Sequence, residues 1–337
     1  MKTASLGSLG PTSRLTLGGG GIGQVWGETS REESAATLRA AIDGGIDLID
    51  TAPMYGSCES IIGETFQGAL PAGVKVTSKC ALGSPPPGQV AARLEAALDA
   101  TLAAMRLRRI DLYFLHSSIA PDTYAYAHGD ARRDEFSTRW SLYVDEVVPT
   151  FERLKARGRI GAWGVTGIGV PTSIKAAFAH DPAPDVAQVI ANLMDSAGGI
   201  RRFAEPAEPR AVLAAAKATG IGVMGIRAVQ AGALTARIDR SLSPNHPDAK
   251  DYERAAPFRE LCARWGEDPA VVAHRYALSM PGVDTLVLGV KNRIELEQAL
   301  DAEAAGPLGA EEMAEIDRLG LALDGSEERV RAGPPNA

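Results

Sequence analysis

Eight short apolar runs alternate with stretches of helical periodicity, and this alternation restricts the fold more than any other feature of the chain. The runs cover 15–17, 46–49, 74–78, 110–115, 160–165, 186–190, 222–226 and 285–288. Each is bounded by Gly, Pro or polar residues, and runs that stay apolar at successive positions suit strands covered on both faces. Helices are expected over 31–43, 59–68, 88–105, 144–157, 172–180 and 208–219, over 252–265 and 269–279 as a pair, and over 293–300. Such alternation predicts an α/β protein with a parallel sheet and crossover helices. At 337 residues the chain accommodates two average domains or one large α/β barrel. No linker interrupts the pattern, so one domain over 1–337 is expected, with its core over 5–320. The Gly-punctuated start suits a small hairpin cap, 310–319 an extra C-terminal helix, and 325–337 a loose polar tail.

Gly18 to Gly23 spell GxGxxG after the first apolar run, with Asp43 about 20 residues on, which is the spacing of a dinucleotide fingerprint. The context differs. In that fingerprint the last glycine lies in the first helical turns, whereas here Gln24 to Thr29 intervene before Ser30 and Glu33 open a helix with a capping box. The stretch is read as a flexible strand-to-helix loop.

Charge and cysteine content narrow the partners. A net charge of -7 with no basic cluster excludes non-specific binding to nucleic acid or an anionic membrane, which leaves a small molecule as the expected partner. Met1-Lys2-Thr3 leads into Gly, Ser and Pro, and no apolar stretch is long enough to span a bilayer, so a cytoplasmic protein is expected. Cys58, Cys80 and Cys262 form no CxxC pair and no even set, which favours reduced thiols. There is no HExxH, no metal-spaced Cys/His cluster, no phosphate loop of the GxxxxGK[ST] type and no GxSxG elbow. No metal is expected, and a homo-oligomer remains compatible with the sequence.

Four polar residues stand at the ends of three consecutive runs: Asp50 and Tyr55 after the second, Lys79 after the third and His116 after the fourth. Singly, each has an ordinary structural reading, as a cap, a solvated charge or a packed aromatic with its hydroxyl satisfied. Jointly they suit proton transfer to a carbonyl. Tyr is an effective donor only if its pKa, about 10 in water, is brought toward working pH, and a neighbouring ammonium does this by favouring the phenolate. Asp50 would keep Lys79 charged and in place, and a neutral His116 would donate a hydrogen bond to the substrate oxygen. Two long connections follow strands, 117–143 and 228–251, and long loops in a compact fold are usually functional.

Around these residues the chain resembles the aldo-keto reductase superfamily. The run Gly45-Ile46-Asp47-Leu48-Ile49-Asp50-Thr51-Ala52-Pro53-Met54-Tyr55-Gly56 is similar to the family's GxxxxDTAxxYG signature. The similarity continues through Glu59, Gly63, Ser78-Lys79, the 111–116 run ending in His116, the 154–160 segment and Gly164-Val165. The resemblance implies a (β/α)8 TIM barrel, NADP(H) in preference to NAD(H), and a catalytic tetrad of Asp50, Tyr55, Lys79 and His116, with Tyr55 as general acid in reduction and base in oxidation. It further implies that Thr166, Gln188 and Ile226 hold the nicotinamide. Ala231, Gly232 and Leu234 would wrap the pyrophosphate with backbone N–H groups, while Gly289, Lys291, Arg293 and Gln298 serve the adenosine end, with Lys291 on the 2′-phosphate. Three positions depart from the family pattern: Gly167 stands for an Asn, Ile226 for a stacking aromatic and Ala299 for another Asn. Trp26, Met54, Tyr124, Tyr126 and Trp140 are the expected substrate contacts, for an aldehyde, ketone or sugar-like molecule, unless the loop aromatics pack the insertion onto the barrel. Two other readings are carried: a sugar hemiacetal dehydrogenase running oxidatively, and a cofactor-binding regulatory subunit with little turnover.

Overall fold

The eight apolar runs form eight parallel strands that close into a barrel. They are β1 (Leu15–Gly18), β2 (Leu48–Asp50), β3 (Lys75–Cys80), β4 (Ile110–Leu115), β5 (Ile160–Thr166), β6 (Val186–Ile190), β7 (Gly222–Ile226) and β8 (Thr285–Leu288). β8 pairs with β1, which completes the ring. The computed structural model describes residues 1–124, 133–238 and 240–323. The tail expected over 325–337 lies outside them. Among the described residues no helix is long and apolar enough to cross a membrane.

Two apolar clusters show how strand alternation is used. The larger lies between strands and helices and includes Leu15, Leu17, Ile49, Val76, Trp163 and Val165. The smaller, Leu6, Leu48, Leu112, Phe114, Ala162, Val186 and Met224, fills the inside of the barrel. Successive side chains point to opposite faces, so the two-residue step that places Leu48, Phe114 and Val186 inside also directs Asp50 and Gln188 inward, at the end where the strands finish. The N-terminal hairpin, Thr3–Ser5 against Pro11–Ser13, caps the other end. Leu6, fully buried, reaches that interior from the cap, which stabilises the hairpin's seat by roughly 1.5–3 kcal/mol.

Several elements differ from the sequence expectation. The helix expected over 252–265 is two, Pro247–Arg254 and Ala256–Trp265, because Pro257 cannot donate into a continuous ladder. Helical structure before the fifth strand starts at Trp140 and passes through a widened turn at Tyr143–Val147 before Val148–Ala156, with Pro149 at its start. The helix expected over 293–300 continues to Ala305. Ser30 caps its helix by accepting the Glu33 N–H at 3.1 Å, but the Glu33 carboxylate turns to Arg293, so the reciprocal half of the capping box is not made.

The glycine stretch is the larger correction. Instead of a flexible loop, Gly19–Ile22 is a buried helical turn. A Cβ on Gly21 would collide with Val290 O, one on Gly23 with Tyr55 O, and one on Gly19 would lie 2.5 Å from Cys58 Sγ. These glycines are where three segments meet closely enough to exclude any side chain.

Candidate active site

Asp50 is the last residue of β2, and Lys79 lies near the end of β3. The Lys79 ammonium is fully buried and sits 2.8 Å from Asp50 Oδ1, 2.7 Å from Asp50 Oδ2 and 2.9 Å from Thr51 O. Three acceptors match its three N–H donors, so the charge is fixed and fully hydrogen-bonded. Asp50 Oδ1 also accepts Thr77 Oγ1 at 2.6 Å and Gln188 Nε2 at 2.7 Å. Thr77 was not singled out from sequence, although it precedes Lys79 by two residues and so shares its strand face.

Tyr55 lies in the turn after β2, where Gly56 adopts φ +55 before the Cys58–Phe66 helix begins. The Lys79 ammonium is 4.7 Å from the centre of the Tyr55 ring. His116, just past β4, meets that ring edge-on at 5.9 Å between centroids and 88° between planes. The four groups read from sequence therefore converge at the end of the barrel where the strands finish.

Their electrostatics differ from expectation at one point. Burial raises the Tyr55 phenol above its ordinary pKa, Lys79 opposes that rise, and Asp50 adds to it. The ammonium thus moderates the shift without making Tyr55 more acidic than in water. For Lys79, burial alone would discharge it, yet the Asp50 carboxylate and Tyr55 outweigh burial and its pKa is raised. His116 is pushed down to about 3 by burial and by the Lys79 charge, which leaves the imidazole neutral over the physiological range.

A family profile described as the Aldo/keto reductase family matches residues 14–320. The chain belongs to the aldo/keto reductase family. It is an NAD(P)H-dependent oxidoreductase acting on a small molecule. Among characterised relatives, L-galactose dehydrogenase of Arabidopsis thaliana is 23% identical over 303 residues, which is 88% of this chain and 86% of that protein. Aldo-keto reductase YhdN of Bacillus subtilis is 26% identical over 330 residues, or 91% and 89% of the two chains. An aldo-keto reductase from Bacillus halodurans, in its holo form, superposes with a TM-score of 0.72 at 20% identity, covering 98% of this chain and 99% of its own. One from Klebsiella pneumoniae in complex with NADPH gives 0.67 at 22% identity, covering 96% of each. Likeness at these identities speaks to the fold.

In this aldo/keto reductase the residues expected around a nicotinamide are neighbours. Thr166 on β5 and Gln188 on β6 are paired in register. Thr166 Oγ1 is buried and has no hydrogen-bond partner among the described residues, as a hydroxyl reserved for a ligand would be. Ile226 ends β7 half-buried. Gly167 has a steric reason: a Cβ there would lie 2.9 Å from Gln188 O and 3.1 Å from Val189 Cγ2. An Asn at 167 would have to displace the backbone of β6.

The phosphate turn is only partly as expected. Ala231 and Gly232 are left-handed, at φ +49 and +90. The N–H groups of Gly232 and Leu234 bond to Val229 O, and the Leu234 side chain is fully buried. Those donors close the turn, so Leu234 supports it from the core. A buried network holds the turn in place: Arg227 reaches Asp248 at 2.7 Å and Gln230 at 2.9 Å, while Gln230 reaches Asp251 at 2.8 Å. Nothing in the sequence pattern marks it, because its members come from separate segments.

After β8, Lys291 lies 3.2 Å from Glu295, and Arg293 is held by Glu33 at 2.9 Å. Gln298 is exposed, and Gly289 lies beside Trp26, whose Nε1 is 3.7 Å from where a Cβ would stand. Trp26 also faces the Arg240 guanidinium at 5.8 Å. Met54, next to Tyr55, is 60% exposed. Tyr124 donates to Glu205, accepts the Ala204 N–H at 3.1 Å and tilts against Phe203. Trp140 packs on Tyr143 at 5.6 Å and on His180 at 6.4 Å. Both aromatics are engaged in packing the insertion, the alternative weighed from sequence. Tyr126 lies outside the described residues.

Proposed function

We propose that this enzyme reduces the carbonyl of an aldehyde, ketone or sugar with NADPH, and that Tyr55 delivers the proton. The observation that carries this reading is the Lys79 ammonium, clamped by Asp50 and Thr51 O and held 4.7 Å from the Tyr55 ring. The arrangement keeps a phenol protonated at neutral pH while placing a positive charge where it lowers the energy of the phenolate once the proton leaves. Neutral His116, against the same ring, is a hydrogen-bond donor for the substrate oxygen as negative charge builds there. When bound, the nicotinamide supplies the hydride. Thr166 and Gln188 would hold its carboxamide, the orphaned Thr166 hydroxyl being the support for that fit. Met54 and Trp26 would border the substrate, Tyr124 and Trp140 being engaged with Glu205, Phe203, Tyr143 and His180.

The test is oxidation of NADPH, followed at 340 nm, against a panel of aldehydes, ketones and sugars. Turnover on at least one class is expected. Tight cofactor binding with no turnover on any would favour a regulatory, non-catalytic role. Similarity to L-galactose dehydrogenase supports a second reading, oxidation of a sugar hemiacetal, and initial rates with NADP and NAD in both directions separate the two.

The preference for NADP rests on Lys291, a largely buried ammonium just before the last barrel helix and 3.2 Å from the Glu295 carboxylate. A 2′-phosphate would share that ammonium as a charge-assisted partner. Lys291→Ala is therefore expected to weaken NADPH binding by about tenfold or more, the worth of one charged hydrogen bond, while changing NADH affinity by less than about twofold. Equal small effects on the two cofactors, measured by quenching of protein fluorescence, would remove Lys291 from the 2′-phosphate site.

A further inference from the structure

We propose that Gln188 is a positioning residue of the tetrad, and that its bond to Asp50 ties the nicotinamide end of the cofactor site to the charge pair beside Tyr55. The inference rests on the function proposed above and goes further, since it gives Gln188 a task in the enzyme before any cofactor binds. Asp50 Oδ1 takes three donors, Thr77 Oγ1 at 2.6 Å, Gln188 Nε2 at 2.7 Å and Lys79 Nζ at 2.8 Å, whereas Oδ2 takes Lys79 alone at 2.7 Å. A carboxylate only accepts, so this contact obliges the Gln188 amide to present its NH2 to Asp50. The amide oxygen is thereby directed to other company. No partner for it is found among the described residues, and Thr166, whose buried hydroxyl also lacks one, is its register neighbour. A ligand amide donating to Gln188 Oε1 would polarise the same side chain that donates to Asp50, and hydrogen bonds in such a chain reinforce one another. Gln188 is 3% exposed and lies 138 residues from Asp50 in sequence, on the far side of the barrel mouth, so the bond spans the interior.

The titratable groups facing Tyr55 are Lys79 and Asp50 inside the barrel, His116 across the ring edge, and the Cys58 thiol on the helix behind. Asp50 raises the Tyr55 pKa and Lys79 lowers it. Removing the amide donor leaves the Asp50 charge less neutralised at Tyr55, so the phenol should hold its proton to higher pH.

Two measurements test this. In the cofactor-free protein, thermal midpoints are compared for Gln188→Met, Asp50→Leu and the double variant. Gln188→Met should lower the midpoint by less than half as much in the Asp50→Leu background as in the wild type, because leucine offers the amide no acceptor and the shared bond is already gone. Strictly additive losses would overturn the link. In the loaded enzyme, Gln188→Met should move the alkaline limb of the kcat/KM profile upward by about half a pH unit or more. Thr166→Val, on the same side of the cofactor site but not on Asp50, should weaken cofactor binding and leave that limb in place. A Gln188 variant that changes only cofactor affinity would reduce the residue to a clamp. If no nicotinamide supports turnover, the proposed function fails, and the cofactor-free comparison still decides this inference.

Discussion

Tyr55→Phe is expected to lower kcat by about 10²–10⁴-fold, the usual contribution of a positioned general acid, while cofactor affinity and thermal midpoint stay close to those of the wild type. The fold should tolerate the change. Lys79 keeps Asp50 Oδ1, Asp50 Oδ2 and Thr51 O as acceptors for its three donors, and the aromatic ring retains its contact with His116. The pH profile gives a second handle. Reduction uses the protonated phenol, whose pKa is raised by burial, so kcat/KM for reduction should be level through neutral pH and fall only on the alkaline side. His116, pushed down to about 3, should add no limb near pH 6.5. In the oxidative direction the phenolate is the base, and the rate should rise with pH instead. Full turnover in Tyr55→Phe, or an acid limb near pH 6.5 that disappears in a His116 variant, would contradict these roles.

The sequence pattern made the barrel legible for a specific reason: strands buried on both faces must be apolar at successive positions, and the crossover helices must carry their own period. β4, β6, β7 and β8 match the predicted ranges residue for residue, since each is a short run with sharp Gly, Pro or polar borders. Helix limits were less readable where proline decides them, as at Pro149 and Pro257, because a proline can open a helix as well as end one. The convergence of Asp50, Lys79 and His116 was readable because strand ends in a closed parallel barrel meet at one rim, so position along the chain translates into position in space.

What joins distant segments left no such trace. The Gln188 bond to Asp50, the network of Arg227, Gln230, Asp248 and Asp251, and the glycine turn wedged against Tyr55 O each depend on three-dimensional approach. Gly167 illustrates the limit. From sequence it was an unexplained loss of an amide ligand; in the structure it is the residue that lets β5 run close to Gln188 O. The direction of the Tyr55 shift was missed for a related reason. Proximity of an ammonium was inferred from strand ends, but the burial that outweighs it belongs to the packed mouth of the barrel.

Asp50→Asn is expected to lower stability by about 3–5 kcal/mol, because it leaves the Lys79 ammonium inside the barrel without its countercharge. The amide keeps an oxygen for Thr77 and Gln188, so the loss is chiefly electrostatic. Replacing both partners, as Asp50→Asn with Lys79→Met, removes the stranded charge and should recover most of that loss while turnover stays abolished, which separates the fold's use of the pair from the chemistry's. The dependence on pH carries opposite signs in the two proteins. In the wild type the Lys79 pKa is raised in the folded state, so its stabilising contribution is complete below the unfolded value of about 10.4 and fades as pH rises through the folded value. In Asp50→Asn, burial acts on Lys79 without the carboxylate to oppose it and depresses the folded pKa, so the unfolded chain binds the extra proton. Stability of that variant should then rise with pH up to about 10.4, as the buried lysine is allowed to be neutral. Chemical denaturation at pH 7 and pH 9 reads this directly: the gap between variant and wild type should narrow at the higher pH, and a constant gap would mean that Lys79 keeps its proton without Asp50.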